Sequence, residues 1–181
     1  LDANKITICG EESFGTGSNH VREKDGLWAV LFWLQILASK KCSVNEIMHS
    51  HWQQFGRHYY SRHDYEAIPS ETAHSLYERV RLMLPELAGQ SFAGQQISFA
   101  DNFSYIDPVD ASVTSNQGIR IHLEDGSRVL MRLSGTGTKG ATLRIYLENY
   151  VSVNGDLSQA PQKALHPLVR GIDSLAEITK R

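Results

Sequence analysis

Hydrophobic positions along this chain switch from helical spacing to a period of two near Gln95, and back to helical spacing at Pro161. Between about Asp25 and Ser39, Leu27, Val30, Leu31, Leu34, Leu37 and Ala38 recur at the spacing of one helix face. Trp28 and Trp33 widen that face, so the segment predicts an amphipathic helix, with Asp25 as its N-cap. Ser43 and Glu46 form a capping box that opens a second helix through Ile47, Met48, Trp52 and Phe55 to Gly56. Pro69-Ser70-Glu71 opens a third, carried by Ala73, Leu76, Val80, Leu84 and Leu87 and ended by Gly89. From Gln95 onward the period is two. Ile97, Phe99 and the run Phe103 to Ile106 read as strands, and Ile119, Ile121 and Leu123 alternate up to a hairpin turn at Glu124-Asp125-Gly126-Ser127. The partner strand returns with Val129, Met131 and Leu133 on one face, and another strand covers Thr142 to Leu147. Pro161 starts a last helix through Leu165, Leu168, Ile172, Leu175 and Ile178.

Two segments fit neither period. Lys5 to Cys9 reads as a short strand running into a glycine-rich loop, and Arg57 to Ala67 as an edge strand or an extended linker. With the division placed near Pro69, residues 1–68 predict part of an α/β unit. Residues 69–181 predict an antiparallel sheet with helices packed on it, and the whole an α+β fold.

Composition narrows the function classes. At 41% hydrophobic and 21% charged the chain can build a packed core, so disorder is not expected. A net charge of -2 speaks against a general nucleic-acid binder, which needs a basic surface to displace counterions. The apolar stretch Leu27 to Ala38 is too short to span a membrane, so no membrane partner is expected. Cys9 and Cys42 are too few for a disulfide framework, and a reducing cytoplasmic location is expected. The eight histidines, His49, His51, His58 and His63 among them, match no metal-ligand spacing and read as surface residues. Asp107 and Asp110 read as turn residues, and no serine sits in a nucleophile elbow. Leu1 is not an initiator methionine, which suggests a fragment or a processed product.

Two loops carry candidate chemistry. Gly10 to Ser18 presents Glu11, Glu12 and Ser13, acceptors and a hydroxyl suited to sugar hydroxyls, with Lys24 close downstream. Arg132 to Arg144 presents two arginines, Ser134, Thr136 and Thr138, and predicts a nest of the backbone amides of Gly135, Gly137 and Gly140. Arginine forks match phosphate oxygens in pairs, so this loop predicts a phosphate clamp. It lacks the Gly-Lys-Ser/Thr ending of a nucleotide P-loop, and a strand follows it in place of a helix.

Three strings, CGEESFGTGSNHVREKDGLWAVLFWLQILA, DPVDASVTSNQGIRI and RLSGTGTKGATLRIY, carry a resemblance to the phosphoglucomutase branch of the phosphohexomutase superfamily over nearly the whole chain. The resemblance implies the carboxyl-terminal part of a four-domain enzyme. Residues 1–68 would end its third domain, and residues 69–181 would form its fourth, a TBP-like antiparallel sheet with packed helices. It implies an isomerase of carbohydrate metabolism that interconverts glucose 1-phosphate and glucose 6-phosphate through a phosphoserine and glucose 1,6-bisphosphate. Glu11 and Ser13 match residues that hold sugar hydroxyls, and Lys24 matches a cation near the sugar. Arg132, Ser134, Gly135, Thr136 and Arg144 match the clamp on the phosphate that is not reacting.

The phosphoserine loop and the aspartate-rich loop for Mg2+ belong to the family's first two domains, and neither motif occurs here. The resemblance therefore implies no catalytic residue and no metal ligand in this chain, and inactivity when it is alone. The N-terminal domains of the same protein become its expected partners, and a partial third domain is expected to expose apolar surface. The alternative is a non-catalytic phosphosugar-binding or scaffold relative.

Overall fold

A computed structural model describes residues 1, 3–11, 14–137 and 140–178, with the side chains of residues 135–137 outside that description. The chain divides into two compact units, Leu1–His51 and Trp52–Arg181.

In the first unit, strands β1 (Ile8–Gly10) and β2 (Thr16–Ser18) form an antiparallel hairpin that leads into helix α1 (Gly26–Lys40). The Asp25 side chain accepts from the Trp28 N–H at 2.9 Å, which makes it the N-cap the sequence indicates. Lys41 ends the helix in the left-handed region, and its N–H donates to Leu37 O. The amphipathic reading of α1 needs correction. None of its residues is buried, and Leu27, Val30, Leu31 and Leu34 are all more than half exposed. The eight residues Leu27 to Leu34 are apolar without a break, so they wrap the whole cylinder instead of marking one face. Among the described residues no single helix is long and apolar enough to cross a membrane.

Helix α2 (Val44–Phe55) begins at the capping box. The Ser43 N–H and Oγ both reach Glu46 Oε2, and Ser43 Oγ accepts from the Glu46 N–H.

The second unit is built on a six-stranded antiparallel sheet. Its elements in chain order are β3 (Arg57–Ile68), α3 (Ser70–Leu87), β4 (Ser91–Phe92), β5 (Gln95–Asn102), β6 (Tyr105–Ile106), β7 (Val113–Thr114), β8 (Ile119–Leu123), β9 (Arg128–Gly137), β10 (Gly140–Val151) and α4 (Pro161–Ala176). The sheet order is β3-β10-β9-β8-β5-β4, with β6 and β7 as a separate small ribbon. Alternation along β8, β9 and β10 sends Ile119, Ile121, Leu123, Val129, Met131, Leu143, Ile145 and Leu147 to one face, all of them buried. There they meet Leu76 and Val80 of α3 and Leu165, Leu168 and Ile172 of α4 in one hydrophobic cluster. Arg79, midway along α3, holds the C-terminal end of α4, donating to Glu177 at 2.5 Å and to the Ala176 carbonyl. The result is a helix-on-sheet α+β unit, and the opposite sheet face carries the charged members of each alternation.

The expected division at residue 68 moves. Arg57–Ile68 is an edge strand paired with β10 along nearly its whole length, which places it in the second unit. Tyr59 is buried within that unit's core. The sequence left this strand open because its alternation is aromatic and polar, and its pairing partner lies far downstream.

Candidate functional site

In the first unit the glycine-rich loop lies between the paired strands β1 and β2. The Glu11 N–H donates to Gly15 O, and the Phe14 N–H to Glu11 O. Lys24 Nζ lies 2.9 Å from Glu11 Oε2, so two of the three sequence-predicted sugar-site residues meet. Gly15 makes this possible, since a Cβ there would sit 1.9 Å from Lys24 Cδ. Both partners are about half exposed, so the pair contributes little to stability. Ser13, the third residue, lies outside the described residues.

In the second unit the predicted phosphate loop is a continuation of strands β9 and β10, with only residues 138–139 between them. Gly135 and Thr136 belong to β9 by their backbone, and Thr136's side chain lies outside the description. A free nest of amides is therefore corrected to a hairpin whose ladder reaches the Gly137–Gly140 pair, with a bulge between Gly140 and Thr142. The register sets Arg144 directly opposite Arg132 and Thr142 opposite Ser134. Two guanidinium stems and two hydroxyl-bearing residues thus occupy alternate cross-strand pairs, with the Leu143–Leu133 pair between them. Cations directly opposite each other repel, and an anion placed between them removes that penalty.

Arg132 also lines a cavity of about 620 Å³, together with Tyr77 and Arg81 of α3 and Asn116 and Gln117 of the β7–β8 connection. Burial pushes the Tyr77 phenol up and Glu78 adds to this, while the cations of Arg81 and Arg132 pull it back. The lining is mostly polar and includes two arginines, Arg81 and Arg132. Sequence reasoning missed these residues. Asn116 and Gln117 lie inside a quoted string but form no periodic or charge signal. Tyr77 and Arg81 resemble any other members of an amphipathic helix.

Several charged side chains on the sheet face opposite the helices are paired. Arg120 holds Asp101 through Nε at 2.8 Å and Nη2 at 2.5 Å, and Arg128 Nε donates to Glu148. Exposed His58 lies 2.6 Å from the other oxygen of Glu148. The hydrogen bonds from Arg120 hold the Asp101 carboxyl below the usual carboxylate range. Its folded pKa is thus depressed relative to about 3.9 in the unfolded chain, so the pair stabilises the fold above that pH. The contribution is lost as pH falls through the lower folded value. Asp101→Asn is expected to lower stability at neutral pH by about 1 kcal/mol or less, because the pair is partly exposed. Melting curves of both proteins across pH should converge at the acid end.

Among the described residues, no three His, Cys, Asp or Glu side chains gather as a metal site. Cys9 and Cys42 are free thiols.

Comparison with known proteins also divides the chain in two, a few residues after the boundary between the compact units. The family model "Phosphoglucomutase-1, C-terminal domain" covers residues 57–181, and "Phosphoglucomutase/phosphomannomutase, alpha/beta/alpha domain III" covers residues 1–55. A phosphoglucomutase of Rhizobium radiobacter is 55% identical over 178 residues, 98% of this chain and 33% of that protein. Phosphoglucomutase-1 of Oryctolagus cuniculus is 46% identical over 190 aligned positions, 100% of this chain and 33% of that protein. Among solved structures, the exocytosis-sensitive phosphoprotein pp63/parafusin, a phosphoglucomutase from Paramecium in its open form, superposes with a TM-score of 0.87 at 45% identity. That match covers 99% of this chain and 31% of the Paramecium protein. The chain thus spans about a third of the length of the relatives it matches.

Proposed function

Because the chain belongs to the phosphoglucomutase family, we propose that it forms the substrate-recognition part of an enzyme interconverting glucose 1-phosphate and glucose 6-phosphate. The observation that carries this reading is the cross-strand pair of Arg132 and Arg144, with Ser134 and Thr142 in the next alternate pair. Such a pair reads the phosphate dianion and not the position of the sugar carbon that bears it. Either isomer can therefore be held by the same groups while its other end reacts. Binding energy gathered at a phosphate remote from the reacting atoms can be used to position the reacting end. Glu11 and Lys24, joined at the first loop, are the groups we assign to the sugar, with Ser13 beside them in sequence.

In this reading Gly135 and Thr136 complete the clamp through their backbone and hydroxyl groups. The serine that carries the phosphoryl group and the ligands for Mg2+ belong to the rest of the protein, with which this chain works. Glucose 1,6-bisphosphate is the intermediate that the two half-reactions share.

The test is a titration of the 181-residue chain, followed by amide NMR, with glucose 1-phosphate, glucose 6-phosphate, inorganic phosphate and glucose. Both sugar phosphates should bind within about threefold of each other and move the β9–β10 hairpin resonances, and glucose alone should leave that hairpin unmoved. Equal responses to glucose and its phosphates, or no response to either phosphate, would overturn the clamp.

A further inference from the structure

Arg144 has neighbours on both sides in the sheet. Register places Arg132 of β9 opposite it on one side and Asp64 of β3 opposite it on the other. Asp64, Arg144 and Arg132 therefore form one row across three strands, with the carboxylate at the outer end. The Asp64 carboxylate divides its oxygens. Oδ1 lies 3.0 Å from Arg62 Nε, and Oδ2 lies 3.8 Å from Arg144 Nε.

The second distance is an ion contact beyond hydrogen-bond reach, and Arg144 Nε is buried with no hydrogen-bond partner among the described residues. The Arg144 side chain nevertheless remains 40% exposed, so its exposure lies elsewhere than at Nε. A guanidinium is planar and rigid, so an anion on its Nε side biases the direction in which the rest of the fork points. Arg62 has a consequence as well. By holding the first oxygen, it keeps Asp64 from closing a bidentate pair with Arg144, which would fill the fork before a phosphate could.

We propose that Asp64 is a positioning residue of the phosphate clamp: it steadies the Nε side of Arg144 and leaves the terminal nitrogens to the ligand. The proposal rests on the clamp reading given above. It also predicts a sign that simple electrostatics would reverse. Removing a negative charge beside an anion site should tighten binding through the field alone, whereas loss of positioning weakens it.

A double-substitution cycle separates the possibilities, using glucose 6-phosphate binding to the full chain and the Nε–Hε resonance of Arg144. Asp64→Asn should weaken binding about three- to tenfold and shift the Arg144 resonance, while Asp64→Glu should stay within about twofold of the original affinity. In an R144K background, where there is no Nε–H to steady, D64N should change affinity by less than about twofold. Equal losses in both backgrounds would mean that Asp64 acts only through the fold, and the proposal falls. Unchanged or tighter binding by D64N alone overturns it too, with the clamp left standing. If Arg144→Ala leaves phosphate binding intact, the clamp reading fails first and takes this inference with it.

Discussion

Alanine at Arg144 is expected to lower the affinity for glucose 6-phosphate by about ten- to a hundredfold, the largest functional effect of any single change in this chain. Hydrogen bonds to a charged group contribute about 1.5–3 kcal/mol, and each 1.4 kcal/mol is about tenfold in affinity. Arg132→Ala should fall in the same range but toward its lower end. Arg132 is exposed and no ion pair involving it occurs among the described residues, whereas Arg144 is held from the side by Asp64. More rotamer entropy is therefore lost when Arg132 engages a ligand. Neither change should unfold the protein. Removing Arg144 leaves Asp64 paired with Arg62, and removing either arginine relieves the repulsion between the two. Calorimetric titration at low and at physiological salt measures the effect, because exposed cations lose more of their contribution as salt rises. Affinity unchanged by both substitutions would place the phosphate elsewhere.

The parts of this architecture that local chemistry specifies were legible in the sequence. Asp25 and the Ser43–Glu46 box act within four residues of themselves, and each cap stands where the sequence indicates. The two-residue alternation of Ile119, Ile121 and Leu123 matches a strand with one face on the core. Non-local pairing was not legible. Nothing in Arg57–Ile68 states that it lies beside β10, so neither the unit boundary nor the Asp64–Arg144 contact could be read from the chain alone. Helix α1 illustrates a different limit. Helical spacing was present, but eight unbroken apolar residues satisfy any face, and spacing cannot say which of them finds cover. At the candidate site, the two arginines were legible as residue types. Their register, the bulge after Gly140 and the cavity beside Arg132 depend on how three strands and a helix come together.

The second large effect is expected at Gly118, which is not itself a ligand-binding candidate. Its φ is +153°, and an added Cβ would lie 2.8 Å from Met131 O and 3.0 Å from Arg132 Cγ. The carbonyl belongs to a core strand and cannot retreat without disturbing the β8–β9 pairing of Ile119 with Met131. Gly118 O also accepts from the Phe103 N–H, so the glycine is pinned from its other side. The Arg132 side chain is the softer neighbour and would give way first. Gly118→Ala should therefore cost about 1–3 kcal/mol of stability through strain and overpacking. It should also weaken phosphate binding about three- to tenfold by moving the Arg132 stem.

Gly126→Ala is the matched control. That glycine has a φ of +86° with nothing within 4 Å of an added Cβ, so it carries backbone strain without a clash. Its substitution should cost about 1 kcal/mol of stability and leave phosphate affinity unchanged. Denaturant unfolding and phosphate titration of both variants give the comparison. If Gly118→Ala loses stability yet keeps full affinity, the close approach of Gly118 serves the sheet alone. Arg132 must then be set by the α3 side of its cavity.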